Sequence, residues 1–304
     1  MFKPTGSWVA ITTPYNQDGS IDFGGFRTLI EHHIKFGTSE LFVTGSAGEV
    51  ALLTPEERKS IIHEVVKMSK GRIPVFFNAS CATTKDTISL AQYIEAESGD
   101  GAIFTIPPYL LPPQTAAYEH LRACMTSVSI PVGIYNNPSR LGVNVEPETI
   151  EKLAGDAPNF IVDKEAMPNV AQLVEVKRRL KDRVNILCCD YPKYSIVIPT
   201  LAVGGNGTAN IGGNIITEEM AKISRPWESM EIAEACRQTY FHWYPLLKAL
   251  YWFSNPIVIK AAQKILGQPA GGIRRPYQEL EGEKLSHLRS LMDEMGVIKK
   301  YSHK

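Results

Sequence analysis

Several things are scarce in this chain, and each scarcity removes a class of function. No apolar run is long enough to span a bilayer; the best candidate, residues 244–253, is short and carries Lys248 in its middle, so no membrane role is expected. Neither sign of charge is in surplus: Lys+Arg and Asp+Glu both number 32, which leaves no expectation of a nucleic-acid partner. The N-terminal stretch lacks the apolar core of a signal peptide. The cysteines are few, odd in number and scattered (Cys81, Cys124, Cys188, Cys189, Cys236), with no C-x-x-C pair. They read as buried thiols in a reducing cytoplasm. The seven histidines form no H-E-x-x-H and no other ligand spacing, so no metal is expected. No G-x-S-x-G elbow is present. The nearest thing to a dinucleotide turn, Gly205 to Asn210, lacks the final glycine and precedes a strand, so no nucleotide cofactor is expected either.

What is present is a chain of 304 residues, 44% apolar, which is ample for a large α/β core. Short β-rich runs alternate with segments of helical periodicity. Strands are expected over residues 8–12, 41–44, 73–78, 102–106, 131–136, 160–164, 184–188 and 207–211. Helices are expected between them, over 23–36, from Thr54-Pro55-Glu56-Glu57 onward through Met68, and over 85–97, 114–127, 147–154, 170–180 and 194–203. Each intervening helix returns the chain to the same end of the sheet, so the strands should be parallel. Eight such units imply a (β/α)8 TIM barrel rather than an open sheet. Beyond Thr217 no strand signal remains, and residues 227–253, 256–266 and 277–295 look helical. The expected organisation is a barrel over 1–216, with the last barrel helix and a C-terminal helical extension over 217–304 forming one unit with it.

A barrel carries its chemistry at the C-terminal ends of its strands. Lys164 closes the apolar run Phe160-Ile161-Val162. Burial there would depress its pKa and free a neutral amine to attack a carbonyl. Asp163 and Glu165 flank it but should point away, because strand side chains alternate. Tyr135 ends the preceding strand, where a phenol can shuttle protons. Arg140 follows in its loop and offers a fork for a carboxylate. After the second strand comes Thr44-Gly45-Ser46-Ala47-Gly48-Glu49, a turn whose amides can face an anion and whose Ser46 adds a hydroxyl. Tyr109 sits in the stiff Pro107-Pro108-Tyr109 loop. Each of these has a plain reading too: a lysine snorkelling to the rim, a packed tyrosine, a surface arginine, an ordinary glycine turn, an exposed aromatic.

Taken as a set, these segments resemble the dihydrodipicolinate synthase / N-acetylneuraminate lyase family of class I aldolases. The likeness runs from Gly6 to about Gly267. It includes Thr5-Gly6-Ser7 with Thr13-Pro14, Gly45-Ser46-Ala47-Gly48-Glu49, Tyr135-Asn136-Asn137-Pro138-Ser139-Arg140, Lys164-Glu165-Ala166 and Asn255-Pro256. The resemblance implies an imine between Lys164 and pyruvate or a related 2-oxo acid, and an enamine that attacks or releases an aldehyde. It makes Tyr135 the proton shuttle and Ser46 the hydroxyl linking two tyrosines. Tyr109 becomes the second tyrosine, reaching into the neighbouring subunit's site, which implies a homodimer or homotetramer. Ala47, Gly48, Arg140 and Ala209 become substrate-binding residues, and no cofactor is implied. Arg140 favours a synthase acting on pyruvate and aspartate semialdehyde. An aldolase or dehydratase for a sugar-derived or aromatic 2-oxo acid is the alternative enzyme, and a non-catalytic oxo-acid sensor the alternative of another class.

The chain also departs from the family pattern. Ala47 stands where a second hydroxyl residue is usual, so the amides of Ala47 and Gly48 are left to hold the carboxylate. Cys188-Cys189-Asp190-Tyr191-Pro192-Lys193-Tyr194 and Gly207-Thr208-Ala209-Asn210 differ from the synthase pattern. Pro55, Arg58 and Pro108 replace residues of the lysine-feedback site, so L-lysine should not inhibit.

Overall fold

The computed structural model describes residues 3–190 and 195–302. Its core is a closed barrel of eight strands: β1 (Gly6–Ala10), β2 (Glu40–Val43), β3 (Val75–Asn78), β4 (Gly101–Phe104), β5 (Val132–Asn136), β6 (Phe160–Glu165), β7 (Asn185–Cys188) and β8 (Gly207–Asn210). Every neighbouring pair is parallel, and β1 closes the ring against β8. The alternation of side chains sorts the core into two layers. Trp8, Phe42, Phe76, Ile103, Val162 and Leu187 fill the barrel interior. Val9, Leu41, Val43, Val75, Phe77, Ile134 and Ile186 face the helices. Inside, Trp8 packs its indole 5.3 Å from both Phe42 and Phe76, a plug beneath the open end.

The helices begin where their sequences offer a cap. Asp22 accepts from the Gly25 amide to start Phe23–Lys35. Thr54 and Glu57 form a reciprocal capping box at Pro55–Ser69, with proline at its first turn. Asn169 accepts from Ala171 and Gln172 at the start of Val170–Leu180. A helix at Thr217–Ile223 follows β8, and beyond it lie Met230–Ala249, Ile257–Ile265, Gly282–Glu294 and Val297–Tyr301. Among the described residues no helix is long and apolar enough to cross a membrane.

Some expectations need adjusting. The strand expected over 8–12 runs over Gly6–Ala10. Ile11, Thr12 and Thr13 are as buried as the strand itself, so burial does not mark its end. The helix expected over 194–203 is seen over Val197–Ala202; Tyr194, its expected start, lies outside the described residues. The last long helix begins at Gly282 rather than at 277. A short helix at Pro138–Leu141 has no expected counterpart, because four residues carry no periodicity. Four of the five cysteines are buried thiols, whereas Cys81 is only half-buried.

One strand residue works against stability. Asp163 pairs with Ile134 and Ile186, both members of the apolar layer beneath the helices, and is fully buried. Neither of its carboxylate oxygens has a hydrogen-bond partner among the described residues. Burial, with the Glu165 carboxylate nearby, raises its pKa well above the ordinary value. A carboxyl with a raised folded-state pKa is tolerated at low pH and costs more as pH climbs through that pKa. Asp163→Val is therefore expected to stabilise the fold by about 1–3 kcal/mol, with the gain widening as pH rises. Denaturant unfolding of both proteins at two pH values checks this; a loss of stability, or a gain that shrinks with pH, refutes it.

Candidate active site

The open end of the barrel is where the chemistry-bearing residues gather. Tyr135 and Lys164 are direct partners in the β5–β6 register, so both point inward from adjacent strands. Lys164 is 3% exposed, its Nζ lying 4.0 Å from the centre of the Tyr135 ring and 4.5 Å from that of Phe42. Burial lowers its pKa from the ordinary lysine value. Cys189 and Asp190 oppose the shift, while the Arg140 guanidinium reinforces it. The balance favours the neutral amine more than it would for an exposed lysine. The flanking acids do turn away: Asp163 into the outer layer and Glu165 toward the loops. Glu165 accepts from the Met167 amide at 2.6 Å and from Asn136 Nδ2 at 3.3 Å.

The turn after β2 follows the strand that carries Phe42, whose ring lies against this lysine. Thr44 and Glu49, at its two ends, adopt left-handed backbone, which is costly for a β-branched threonine. The turn is tied internally: Gly48 N–H donates to the Gly45 carbonyl at 3.1 Å, and Glu49 N–H to that of Ser46 at 3.3 Å. The Gly48 amide, one of the two expected to face an anion, is already spent holding the turn. The Ala47 amide makes no main-chain bond among the described residues. Ser46 is half-buried and shares with Tyr135 and Arg140 the wall of a cavity of about 650 Å³. Tyr109 stands at its rim, 93% exposed in a left-handed conformation. Ala209, on β8, lies against Trp8 of β1 and is 4% exposed.

Several site residues were given no individual role by the sequence. The Tyr135 hydroxyl is met by Asn137 Nδ2 at 2.6 Å and by Cys189 Sγ at 3.9 Å. Burial raises the Cys189 thiol to about 11, keeping it neutral beside the lysine. Asp190, fully buried, accepts from Tyr251 at 2.7 Å and from the amides of Ile211 and Gly212. At the end of the turn after β2, Glu49 meets Lys260 Nζ at 2.7 Å, both side chains buried, and accepts from the Arg274 amide at 2.9 Å. The Cys188-Cys189-Asp190 departure was visible as a string, but its contacts with Tyr135 and Tyr251 arise from distant segments.

The fold and this constellation define an enzyme of the class I aldolase type, a barrel lyase with a buried strand-end lysine. A family model described as the dihydrodipicolinate synthetase family matches residues 3–295, and the chain belongs to that family. The 4-hydroxy-tetrahydrodipicolinate synthase of Nitratidesulfovibrio vulgaris is 33% identical over 294 residues, 97% of this chain and 99% of that one. The crystal structure of dihydrodipicolinate synthase from Aquifex aeolicus superposes with a TM-score of 0.90 at 30% identity, covering 97% of this chain and 99% of its own. The enzyme from Cyanidioschyzon merolae, solved with lysine bound, gives 0.91 at 28% identity over 96% and 99% of the two chains.

Proposed function

We propose that this protein condenses pyruvate with aspartate semialdehyde, as a 4-hydroxy-tetrahydrodipicolinate synthase, through an imine on Lys164. The observation that carries this reading is the buried amine with a lowered pKa packed on the Tyr135 ring. The neutral Nζ attacks the ketone carbon, forming a C–N bond and a carbinolamine hydroxyl. Tyr135 gives its proton to that hydroxyl, which leaves as water, and the C=N⁺ bond forms. The imine withdraws electrons, so the methyl group gives a proton to the Tyr135 phenolate and becomes an enamine carbon. That carbon attacks the aldehyde, whose oxygen takes the proton back from Tyr135, and water then releases the product from Lys164.

The 2-oxo-acid carboxylate is assigned to the Ala47 amide, and Ser46 keeps its assignment as the hydroxyl that links Tyr135 to the second tyrosine. With no hydroxyl at Ala47, one such bond is missing, which weakens binding by about 1–3 kcal/mol relative to a site that has it. Arg140, exposed on the same cavity, is assigned to the carboxylate of the second substrate. Tyr109, projecting from the rim, is assigned to the neighbouring subunit's site in a homodimer or a tetramer of two dimers. A second reading, an aldolase or dehydratase for another 2-oxo acid, draws on Ala47 and on the thiol that Cys189 places beside Tyr135. Following pyruvate consumption with aspartate semialdehyde separates the two. Turnover that needs both compounds supports the synthase. Imine formation without condensation leaves the second reading standing.

Arg58 bears on regulation. Its guanidinium is buried and donates to the carbonyls of Asn78 and Ser80, at 2.6 and 2.9 Å, filling the wall of the same cavity. Turnover is therefore expected to be unchanged by millimolar L-lysine, whereas a dose-dependent fall would contradict the assignment.

A further inference from the structure

Asn137 stands at the N-cap of the Pro138–Leu141 helix, where an asparagine ordinarily turns its side chain to the first free amides. This one does not. Its main-chain carbonyl takes the Arg140 and Leu141 amides, and the side chain points into the barrel mouth instead. There Nδ2 donates to the Tyr135 hydroxyl at 2.6 Å, while Oδ1 accepts from Ser139 Oγ at 2.8 Å. The whole residue is buried, so the amide exchanges none of these partners for water.

We propose that Asn137 is a positioning residue that sets the Tyr135 phenol for proton transfer, which rests on the assignment of Tyr135 above. With an N–H donated to its oxygen, the phenol is held as an acceptor on that side. Its own proton is left to point elsewhere, and the Lys164 amine lies over the face of the same ring. When the proton passes to the carbinolamine hydroxyl, which departs as water, the phenol oxygen carries the negative charge. The Asn137 N–H is already directed at that oxygen and stabilises it without rearrangement. The donor must therefore be an N–H, and neither an apolar side chain nor a carboxylate substitutes for it.

The test is the rate of imine formation with pyruvate, trapped with borohydride at successive times and read by intact mass. Asn137→Val is expected to slow it by about 10- to 100-fold, with the final extent of trapping unchanged and half-saturation in pyruvate shifted by less than about threefold. In a Tyr135→Phe background, already slow, the same substitution should change the rate by less than about twofold, because the effect runs through the phenol. Asn137→Asp, which in its carboxylate form can only accept, should be at least as slow as Asn137→Val at the alkaline end of the pH range. Equal slowing by Asn137→Val in both backgrounds would reduce Asn137 to packing and overturn the proposal, as would an Asn137→Asp enzyme as fast as the parent. Absence of any adduct in the parent is a different failure: it removes the imine reading itself, and this proposal with it.

Discussion

Lys164→Ala yields a folded protein whose turnover has fallen by at least about a thousandfold. The loss is large because the polar groups around it, the Tyr135 phenol, Cys189, Asp190 and Arg140, offer no amine to replace a covalent partner. The fold should not suffer. Lys164 is almost wholly buried, and the ring faces of Phe42 and Tyr135 are its close neighbours. Removing such a cation relieves desolvation, so the unfolding midpoint of Lys164→Ala should equal or exceed that of the parent. The lowered pKa adds a pH signature: the neutral amine appears at lower pH than for an ordinary lysine, and imine formation rises as pH passes through that depressed value. Activity within about tenfold of the parent, after correction for any residual wild type, would remove Lys164 from the reaction.

Lys260→Met is expected to cost about 3–5 kcal/mol of stability, the range found when one partner of a buried ion pair is removed. Lys260 and Glu49 are each 2% exposed, and Lys260 Nζ also donates to the Gly272 carbonyl at 2.7 Å. Without the ammonium, Glu49 keeps, among the described residues, the Arg274 amide as its one remaining hydrogen-bond donor. Glu49 ends the turn that carries Ala47, whose amide is proposed to hold the 2-oxo-acid carboxylate, so half-saturation in pyruvate should rise as well. Glu49→Leu combined with Lys260→Met should recover much of the lost stability, because no charge is then stranded. Denaturant unfolding of the single and double variants decides it. A single variant within about 1 kcal/mol of the parent, or a double variant less stable than the single, contradicts the role given to the pair.

The barrel was legible because each strand is a short apolar run bounded by a helix of clear periodicity, and Phe160-Ile161-Val162 ahead of Lys164 is the plainest of them. Ends were less legible. Residues after Ala10 stay buried because Thr12 and Thr13 find partners in Gln263 and in the Gly48 carbonyl, contacts that no local pattern announces. The same holds in the site. Lys164 and Tyr135 stand at strand ends, where position alone suggests chemistry. Asn137 read only as part of a motif string, since nothing local says that its side chain abandons the helix cap for a phenol. Lys260 lies in a segment read only as helical, and its pairing with Glu49 exists only once that helix packs against the barrel. Gly48 shows the opposite error: a glycine amide in a turn looked available, and the turn itself consumes it.

The most direct measurement is borohydride reduction of the protein with pyruvate, followed by intact mass and peptide mapping. A single reduced-pyruvate adduct per chain, located on Lys164 and missing from Lys164→Ala, is the expected result. An unmodified chain, or an adduct on any other lysine, would contradict the imine at the end of β6.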